Sequence, residues 1–436
     1  MLDGKLGDFV AKGGGKIHTG PFGSQLHASD YVRHGIPCIM PANMKNNRID
    51  LSDVVFIAEA DAQRLSKYLV KENDILYSRR GDVTQKALIR KKEVGYFCGT
   101  GCLLLRPGEN FDARFLTHYL SIPTIKGWII SQAVGATMPN LNTGILSDIP
   151  FHGPEKAEQE KIANVLSTLE DAMEINDKIG QTLEVITKTL YDYWFVQFDF
   201  PDENGKPYKS SGGRMVWSEA LKTEIPNGWK VQKISEIIRD EKNGDWGKEE
   251  ETQKYTNKVF CIRGADINGL NGKEFCNPPQ RFISTNSTDK ILLAHDLIIE
   301  ISGGSPRQST GRIAHISQTT KNRFTSPLVC SNFCKAITLT DFKFAYNFLF
   351  FWERLYDNNI FFGYEGKTSG IKNLLFDAFV KTNYILIPDE NTITNFFELM
   401  ERIQEKKEKL LEENQRLAEL RDWLLPILMN GQVVIK

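Results

Sequence analysis

The sequence has little of what marks membrane and secreted proteins. No run of about 18 apolar residues occurs, which is the length that a membrane-spanning helix requires. The N-terminal segment MLDGKLGDF is charged, so no signal peptide is expected. The 7 cysteines come without a secretory context and predict reduced thiols in a cytoplasmic protein. A chain of 436 residues should therefore form two or three soluble domains.

Catalytic motifs are equally scarce. Gly13–Lys16 reads GGGK, which lacks the spacing and the hydroxyl residue of a phosphate-binding loop. Asn277–Gln280 reads NPPQ and is close to the N-P-P-aromatic motif of amino-methyltransferases. A glutamine cannot stack on a flipped base as an aromatic ring does, and a glycine-rich cofactor loop is missing at a plausible distance. A stand-alone DNA methyltransferase is therefore the weaker alternative, and we expect no catalytic residue and no cofactor on this chain.

The cysteines offer one metal-site hypothesis. Cys98 and Cys102 have the same spacing as Cys330 and Cys334. Four thiolates could bind zinc if they met. The two pairs belong to different parts of the chain, however, and the 7 histidines show no metal-ligand spacing. Packed free thiols are the favoured interpretation, and no metal is predicted.

Net charge is almost zero overall but is unevenly distributed. Residues 1–154 carry 18 basic and 14 acidic side chains (+4), and residues 229–388 carry 21 and 17 (+4). Residues 155–228 carry 8 and 14 (−6), and residues 389–436 carry 7 and 10 (−3). Contact with DNA phosphates requires local positive charge only. The same values also fit ordinary scatter, so charge alone does not decide.

The chain repeats itself at long range. When the sequence is shifted by 234 positions, Pro154 falls on Pro388 and Leu183 on Leu417. Each repeat contains short apolar runs typical of strands, then helical segments, then a polar loop. The predicted strands are Ile36–Met40, Asp74–Ser78, Cys102–Leu105, Val259–Arg263, Asp296–Ile301 and Lys335–Leu339. The predicted helices of the blocks are Arg114–Leu120, Thr124–Gln132 and Phe344–Tyr356. Two similar α+β blocks, residues 1–154 and 227–388, are expected, and two similar surfaces suit a partner with two similar halves.

A long helix follows each block, at 155–198 and 389–436. Apolar residues recur there at alternating spacings of three and four, which predicts a coiled-coil seam rather than an ordinary bundle. The predicted seam residues are Val165, Leu169, Asn176, Ile179, Leu183, Ile186, Leu190, Leu399, Ile403, Leu410, Leu417, Leu420 and Leu424. A polar residue such as Asn176 inside a seam fixes register. Two such helices in one chain can pair only if the chain doubles back, so we expect them antiparallel. Residues 199–226 are rich in Pro, Gly and Ser and predict a surface linker.

Polar, mostly basic loops are the candidate DNA-reading elements, because Arg, Lys, Asn, Gln and Ser can bond base edges or phosphates. The candidates in the first block are Ser24, Gln25, Asn43, Lys45, Ser78, Arg79, Arg80, Lys86, Asn140 and Asn142. Those in the second block are Arg263, Arg307, Gln308, Ser309, Arg312, Lys321, Arg323, Lys367, Lys372 and Asn373.

Several segments taken together resemble the specificity (S) subunit of type I restriction–modification systems. The resemblance covers both halves of the chain. The segments that carry it are GPFGSQL at 20–26, GIPCIMPANM at 35–44, ENDILYSRRGD at 72–82, GATMPNLNTGILSDIPF at 135–151, EQEKIANVLSTLED at 158–171, LYDYWFVQFDFPDENGKPYKSSGG at 190–213 and LRDWLLPILMNGQV at 420–433.

This resemblance implies an α+β fold with two target-recognition domains separated by two antiparallel coiled-coil helices. Each domain would read one half of a bipartite site in double-stranded DNA. Two methylation subunits and the restriction subunits would be partners, and S-adenosylmethionine, ATP and magnesium would belong to them. The chain itself would be a non-catalytic scaffold. Two further alternatives stay open: an orphan or silent specificity subunit, and a coiled-coil adaptor that no longer binds DNA.

Overall fold

A computed structural model describes residues 2–133, 139–273, 276–303, 308–368 and 371–429 together with Ile435. The chain forms two compact units. The first unit comprises residues 1–173 and 415–436, and the second unit comprises residues 174–414. No helix within the described ranges is long and apolar enough to cross a membrane.

The helices of the described residues alternate with short strands. They are α1 Leu6–Lys12, α2 Glu59–Arg64, α3 Ala113–Tyr119, α4 Pro123–Gln132, α5 Thr143–Ser147, α6 Lys156–Tyr191, α7 Ile234–Ile237, α8 Ile267–Leu270, α9 Gln318–Asn322, α10 Ala345–Asp357, α11 Phe376–Thr382 and α12 Glu390–Met429. The strands of the first unit are β1 Leu2–Lys5, β2 Lys16–Thr19, β3 Tyr31–Val32, β4 Ile36–Ile39, β5 Met44–Lys45, β6 Arg48–Ile49, β7 Val55–Ile57, β8 Ile75–Ser78, β9 Lys86–Leu88, β10 Phe97–Cys98, β11 Cys102–Arg106 and β12 Pro150–Gly153. Those of the second unit are β13 Met215–Ser218, β14 Thr223–Pro226, β15 Lys230–Lys233, β16 Ile238–Asn243, β17 Tyr255–Ile262, β18 Gln280–Ser284, β19 Leu297–Glu300, β20 Ser302–Gly303, β21 Ile313–His315, β22 Leu328–Cys330, β23 Cys334–Leu339, β24 Glu365–Thr368, β25 Ile371–Leu374 and β26 Tyr384–Ile387.

A four-stranded sheet is the centre of the first unit, with the order β2-β11-β8-β9. Alternate side chains of a strand point to opposite faces, and here both faces are apolar. Tyr77 and Leu103 belong to a core shared with α3, α4 and the long helices, whereas Leu76 and Leu104 belong to a core shared with the second sheet, β10-β4-β7-β3. The central sheet therefore lies between a helical layer and a smaller sheet.

The second unit repeats this arrangement. Its central sheet has the order β16-β23-β19-β21, and its smaller sheet has the order β18-β17-β22. Ile299 and Ile337 face the helical core, and Ile298 and Ala336 face the opposite core. In each smaller sheet the middle strand pairs parallel with one neighbour, β4 with β10 and β17 with β22, and antiparallel with another. The prediction of two similar α+β blocks is thus confirmed, and the predicted block strands and helices lie within a few residues of those observed.

The two long helices run antiparallel where they meet in the second unit. Asn176 of α6 donates a hydrogen bond of 3.0 Å to the side chain of Asn414 on α12. About five turns further along the chain from Asn176, the ring of Phe195 packs at 4.7 Å against Phe396, which lies near the start of α12. In the first unit, Ile162 near the start of α6 and Leu425 near the end of α12 share one core. The predicted antiparallel pairing is confirmed.

The predicted phase of the seam is wrong in part. Ile186 is 41% exposed, whereas its neighbour Thr187 is 7% exposed. Ile179 and Leu420 are exposed as well. Of the other predicted seam residues, Asn176 and Leu410 are buried. Partly buried are Val165, Leu169, Leu183, Leu190, Leu399, Ile403, Leu417 and Leu424. Around Ile179 and Ile186, helix α6 therefore buries a face that is rotated by about one residue from the predicted face. The apolar side chains on the predicted face form an exposed stripe along the helix.

The segment predicted as a surface linker is packed. Phe200 stacks between Tyr208, at 4.7 Å, and Trp229, at 4.9 Å, and it is buried. The Asp199 carboxylate accepts hydrogen bonds from the backbone and side chain of Ser210. Strands β13 and β14 complete the segment as a hairpin. Composition predicted flexibility, but the aromatic residues in the segment anchor it in the core of the second unit.

One predicted loop is also a hairpin. The polar stretch 363–373 contains strands β24 and β25, which pair antiparallel. Strand β20 joins them to form a three-stranded sheet in the second unit. The polar composition of this stretch hid a sheet that lies beside the end of β19.

Candidate nucleic-acid interface

A buried carboxylate fixes the start of strand β8 in the first unit. The Asp74 side chain is completely buried and accepts the N–H of Lys71 at 2.8 Å. The Arg106 guanidinium donates two hydrogen bonds of 2.6 Å to the same carboxylate. A buried charge is tolerated only when it is paired and hydrogen-bonded, as here. These bonds fix the start of the strand.

Three loops meet where strand β8 ends. The Ser78 hydroxyl is buried and donates to the carbonyl of Arg80 at 2.9 Å. The backbone N–H of Arg79 donates to Gly101, and its carbonyl accepts the N–H of Leu141, both at 2.9 Å. Arg80 forms an isolated bridge with Asn140. Arg80 is exposed and Arg79 is half-buried, so both predicted arginines lie at a surface built by three backbone segments.

A turn carrying an exposed phenylalanine lies beside these arginines. The side-chain oxygen of Gln25 accepts the N–H of Phe22 at 3.1 Å and the hydroxyl of Tyr68 at 3.0 Å. Phe22 is 53% exposed, and the Arg79 guanidinium lies 5.7 Å from the centre of its ring. Ser24 is exposed on the same turn. Gln25 thus supports the turn, and the sequence prediction missed Phe22 because it searched for polar residues.

Other predicted residues of the first unit have structural roles instead. Asn43 is buried, and its side chain bonds the backbone of Met40 and Asp50. Asn142 caps helix α5 by accepting the N–H of Ile145 at 2.9 Å. Lys45 is exposed and pairs with Asp50. The prediction that Asn43 and Ser78 present their side chains to DNA is wrong, because burial removes them from the surface.

Lys86 is the clearest departure from the predicted site. Its side chain is buried, with its ammonium 5.9 Å from the centre of the Tyr77 ring. Burial, helped by the nearby charge of Lys126 and opposed by the carboxylates of Glu170 and Asp82, lowers its pKa to about 7. A lysine on the inner face of a sheet cannot reach a phosphate from this position. The prediction of a DNA contact for Lys86 is wrong.

The arginines predicted for the second unit are largely committed to carboxylates. Arg312 donates to Glu300 at 2.7 and 2.9 Å, and Glu300 is buried. Arg263 donates to Asp266 at 2.8 and 2.9 Å. Arg323 lies 3.2 Å from Glu408, a buried residue on α12. These bidentate or buried pairs hold loops in place, so these arginines are unsuited to reading bases as they stand.

Several of the remaining candidates of the second unit lie on or next to the β20-β25-β24 sheet. Lys372 pairs with Glu365 at 3.0 Å and lies 4.6 Å from the Phe362 ring centre. Asn373 accepts the Ser302 hydroxyl. Ser309 is buried, while Gln308 is exposed. Lys321 lies on α9, away from that sheet in sequence, and is half-buried. Arg307, the side chain of Lys367 and residues 135–138 lie outside the described residues.

Burial shifts the pKa values of several cysteine and histidine side chains. Burial raises the pKa of Cys38, Cys261 and Cys330 to about 12 each. Burial lowers the pKa of His118 and of His315 to about 3, so both rings are neutral near pH 7. In the ranges that the structure describes, no group of three or more His, Cys, Asp or Glu side chains is arranged to hold a metal ion.

Comparisons with known proteins agree with this architecture. Residues 4–185 match the family model described as "Type I restriction modification DNA specificity domain". The chain is 22% identical to the Type I restriction enzyme MjaIX specificity subunit of Methanocaldococcus jannaschii, over 93% of this chain and 89% of that protein. It is 27% identical to the HindI specificity subunit of Haemophilus influenzae over 37% of this chain and 36% of that protein.

A solved structure supports the fold independently. The type I restriction–modification S subunit from M. genitalium aligns with 98% of this chain and 96% of its own, with a TM-score of 0.55 and 16% sequence identity. The shared fold, the matching domain model and the relative that spans nearly the whole chain point to one conclusion. Over nearly its whole length the chain is similar to type I restriction–modification specificity subunits, and residues 4–185 match their DNA specificity domain.

Proposed function

We propose that this chain reads a bipartite sequence in double-stranded DNA, with one half-site for each unit. The observation that carries the proposal is the duplicated central sheet. Its equivalent strands, β8 and β19, are followed or ended by different side chains in the two units. In the first unit the strand runs into Ser78-Arg79-Arg80, and in the second it runs into the Glu300–Arg312 ion pair. The same scaffold with different strand ends suits two readers of two different sequences.

We propose that residues 1–154 and 227–388 are the two target-recognition domains and that the chain is a cytoplasmic, non-catalytic scaffold. Methyl transfer, with S-adenosylmethionine, would be carried out by two methylation subunits. DNA cleavage, with ATP and magnesium, would be carried out by the restriction subunits. What supports this assignment is the similarity of the chain to type I specificity subunits, together with a sequence that offers no cofactor motif.

The uncovered stripe on α6 is our candidate surface for a methylation subunit. Ile175, Ile179 and Leu183 line a shallow, largely apolar depression of about 250 Å³ together with Lys178 and Thr182. Exposed apolar patches on soluble proteins commonly mark partner surfaces. Ile175 and Ile179 are exposed although Asn176 beside them contacts α12, so a partner could cover the stripe next to the helix pair.

Methylome sequencing tests the function as a whole. Strains with and without the gene are compared, and the expected result is a bipartite methylated motif that disappears on deletion. Replacing residues 1–150 by the same block of a relative should alter one half of the motif only. An unchanged methylome after deletion would favour the orphan or silent specificity subunit, and a motif altered in both halves would contradict the two-reader model.

Co-purification tests the helix surface. Ile179→Glu should abolish association with methylation subunits while leaving thermal unfolding unchanged, because Ile179 is exposed. Gln181→Glu adds the same charge at another exposed position on this helix and serves as the matched control. Equal association of both variants would place the partner elsewhere.

A further inference from the structure

Each unit has a similar turn directly after one edge strand of its central sheet. The candidate DNA-reading loops predicted from the sequence do not account for the aromatic residue in either turn. In the first unit, Gly20-Pro21-Phe22-Gly23 follows the edge strand β2, and in the second, Gly244-Asp245-Trp246-Gly247 follows the edge strand β16. Each edge strand pairs antiparallel with the central strand beside it, β2 with β11 and β16 with β23. The shared pattern is Gly-x-aromatic-Gly.

The first glycine of each turn is required by close backbone packing. A Cβ atom on Gly20 would collide with the carbonyl oxygen of Gly99, and one on Gly244 would collide with that of Ser331. Gly99 and Ser331 themselves lie just before β11 and β23, so the collisions occur at equivalent positions. Each turn is therefore pressed onto the sheet, and its direction is fixed.

Side chains and backbone bonds then hold each aromatic residue in place. Phe22 is anchored through the bond from its N–H to Gln25, and Gln25 in turn accepts the Tyr68 hydroxyl. In the second turn, Asp245 donates its N–H to Cys330 at 2.8 Å, and its carboxylate accepts the N–H of Gly247 at 3.0 Å. These bonds fix the backbone of each turn, so the turn itself is already ordered when its ring binds a partner.

Each ring is also exposed and carries a guanidinium on one face. Phe22 is 53% exposed with Arg79 at 5.7 Å, and Trp246 is 38% exposed with Arg281 at 4.3 Å from the ring centre. The two arginines come from different strands, since Arg281 lies on β18 whereas Arg79 follows β8. Two different chain positions thus supply the same pairing of a cation with an exposed ring.

The positive charges around the first turn favour nucleic acid as the partner. Arg79 places its charge next to the Phe22 ring, and the following residue, Arg80, is exposed. Near Trp246, the exposed Lys248 and Lys254 lie 5.8 and 6.0 Å from the ring of Tyr255. The sequence after Lys248 also contains acidic residues.

Glu249 pairs with Arg281 at 2.7 Å, and the exposed Glu250 and Glu251 follow it. The second turn therefore offers phosphates less positive charge than the first does. Its ring is the part suited to DNA, because an aromatic face meets bases without needing a charged partner.

We propose that Phe22 and Trp246 are the aromatic contacts of the two units with duplex DNA, each ring lying against bases of its own half-site. The proposal rests on the proposed function. Apolar side chains contact bases through the thymine methyl group or by entering a base step, and both modes need an exposed ring on a rigid support. The specificity of each half-site would then depend on one aromatic residue as well as on the neighbouring polar loops.

The test uses the complex of this chain with its methylation subunits and a duplex bearing the bipartite target. Phe22→Ala should lower the affinity for the target about tenfold, while Phe22→Tyr, which keeps the ring, should retain it. The dependence of affinity on salt should not change, since no phosphate contact is lost. Arg80→Ala is the contrasting variant, because the loss of a phosphate contact would reduce the salt slope.

Fluorescent base analogues in each half-site locate the two rings. Phe22→Ala should change the signal in the half-site read by the first unit, and Trp246→Ala should change it in the other half-site only. Trp217→Ala is the matched control, since Trp217 is exposed on the hairpin of β13 and β14 in the second unit. Thermal unfolding of all variants should stay at the wild-type temperature.

The possible outcomes separate the two proposals. If the wild-type complex shows no preference for a bipartite sequence, the proposed function fails. If it shows that preference and both alanine variants bind with unchanged affinity, the aromatic contact is refuted. If either variant instead loses its methylation subunits, the turns are a protein interface, and the assignment to DNA is overturned.

Discussion

The two units support the same strand with the same buried acid but with cations from different places. In the first unit, Asp74 is bonded by Arg106, and in the second, Asp296 is bonded by Lys242 at 2.6 Å and by the hydroxyl of Thr338 at 2.6 Å. Strand pairing shows that Arg106 and Thr338 occupy equivalent positions. Leu105, just before Arg106, pairs with Ile75, and Ile337, just before Thr338, pairs with the equivalent residue Leu297. The fold has kept the buried ion pair while its cation has moved to another strand.

At the other end of the same strands, β8 and β19, the two units differ in chemistry. Ser78 and Glu300 are equivalent and are both buried. Serine only closes a turn onto Arg80, whereas the Glu300 carboxylate holds Arg312. Both units thus have a paired, buried aspartate at the start of this strand, whereas the residue at its end differs between the units. The comparison indicates that the scaffold tolerates changes at the surface where DNA is proposed to bind.

The largest effect should come from removing the buried acid of the second unit. Asp296→Asn leaves Lys242, which is buried, without its counter-charge, and we expect a loss of about 3–5 kcal/mol in unfolding free energy. Asp74→Asn should cost less, because the Arg106 side chain is partly exposed and water can solvate it. Urea denaturation measures both variants.

A double variant serves as the control for that experiment. Asp296→Asn combined with Lys242→Met removes both charges and should recover most of the lost stability. Equal losses for the two aspartate variants would show that the position of the cation is irrelevant.

Lys86 offers a second contrast, since Ile313 lies at the equivalent place in the second unit. The folded-state pKa of Lys86, about 7, is below the ordinary 10.5. Between these values the unfolded chain binds a proton that the folded chain does not, so this residue makes stability rise with pH across that window. Lys86→Met should raise the unfolding free energy at pH 7 by about 2 kcal/mol and flatten the rise up to pH 10.

The exposed Lys45→Met is the control for that prediction, and its stability profile from pH 7 to pH 10 should follow the wild type. Chemical denaturation at a series of pH values supplies the measurement. A destabilised Lys86→Met protein with an unchanged pH profile would mean that the lysine is charged and partnered when folded.

The strand ends predict unequal contributions to DNA binding. Arg79→Ala or Arg80→Ala should weaken binding to the target by about 1–3 kcal/mol if the residue reads a base. If the residue contacts phosphate, binding should weaken on every sequence and the salt slope should fall by about 1. Arg312→Ala, in contrast, should act through stability, because Arg312 holds Glu300. Titrations with target and unrelated duplexes at several salt concentrations distinguish these cases.

The smallest effect concerns the helices. In the second unit the helix contact includes the amide pair of Asn176 and Asn414, whereas in the first unit Leu166 of α6 and Leu425 of α12 share an apolar core. Asn176→Leu should cost about 1 kcal/mol, and adding Asn414→Leu should restore only part of that, because Asp177 then loses the hydrogen bond of 2.8 Å that Asn414 donates. A double-mutant cycle in urea gives the coupling; a coupling of zero would show that the amides act independently.

Local sequence patterns predicted the strands well and the phase of the long helix poorly. Apolar runs such as Cys102–Leu105 and Lys335–Leu339 nearly coincide with β11 and β23, because strands buried on both faces need continuous apolar sequence. In α6, however, Val185 and Ile186 are adjacent apolar residues that are both exposed, while Thr187 is buried. Packing against the second unit selects the buried face, and spacing along one helix does not contain that information.

The candidate site was predictable only where the backbone determines it. Arg79 and Arg80 follow an apolar strand directly, so their place at a strand end could be inferred. The pairing of Arg312 with Glu300 could not be, because it joins residues twelve apart across two strands. The aromatic turns would have been found by aligning the repeats at a shift of 224, which places Phe22 on Trp246.

The last helix contributes to the core of the first unit, and this has a consequence for how the protein is made. Leu425, Leu428 and Met429 pack in the same core as Leu6 and Val10. A ribosome adding about 5–20 residues per second must therefore pass residue 414 and make the end of α12 before the N-terminal unit can close its interior. Until then its apolar surface remains open, and during synthesis the unit made first is completed last.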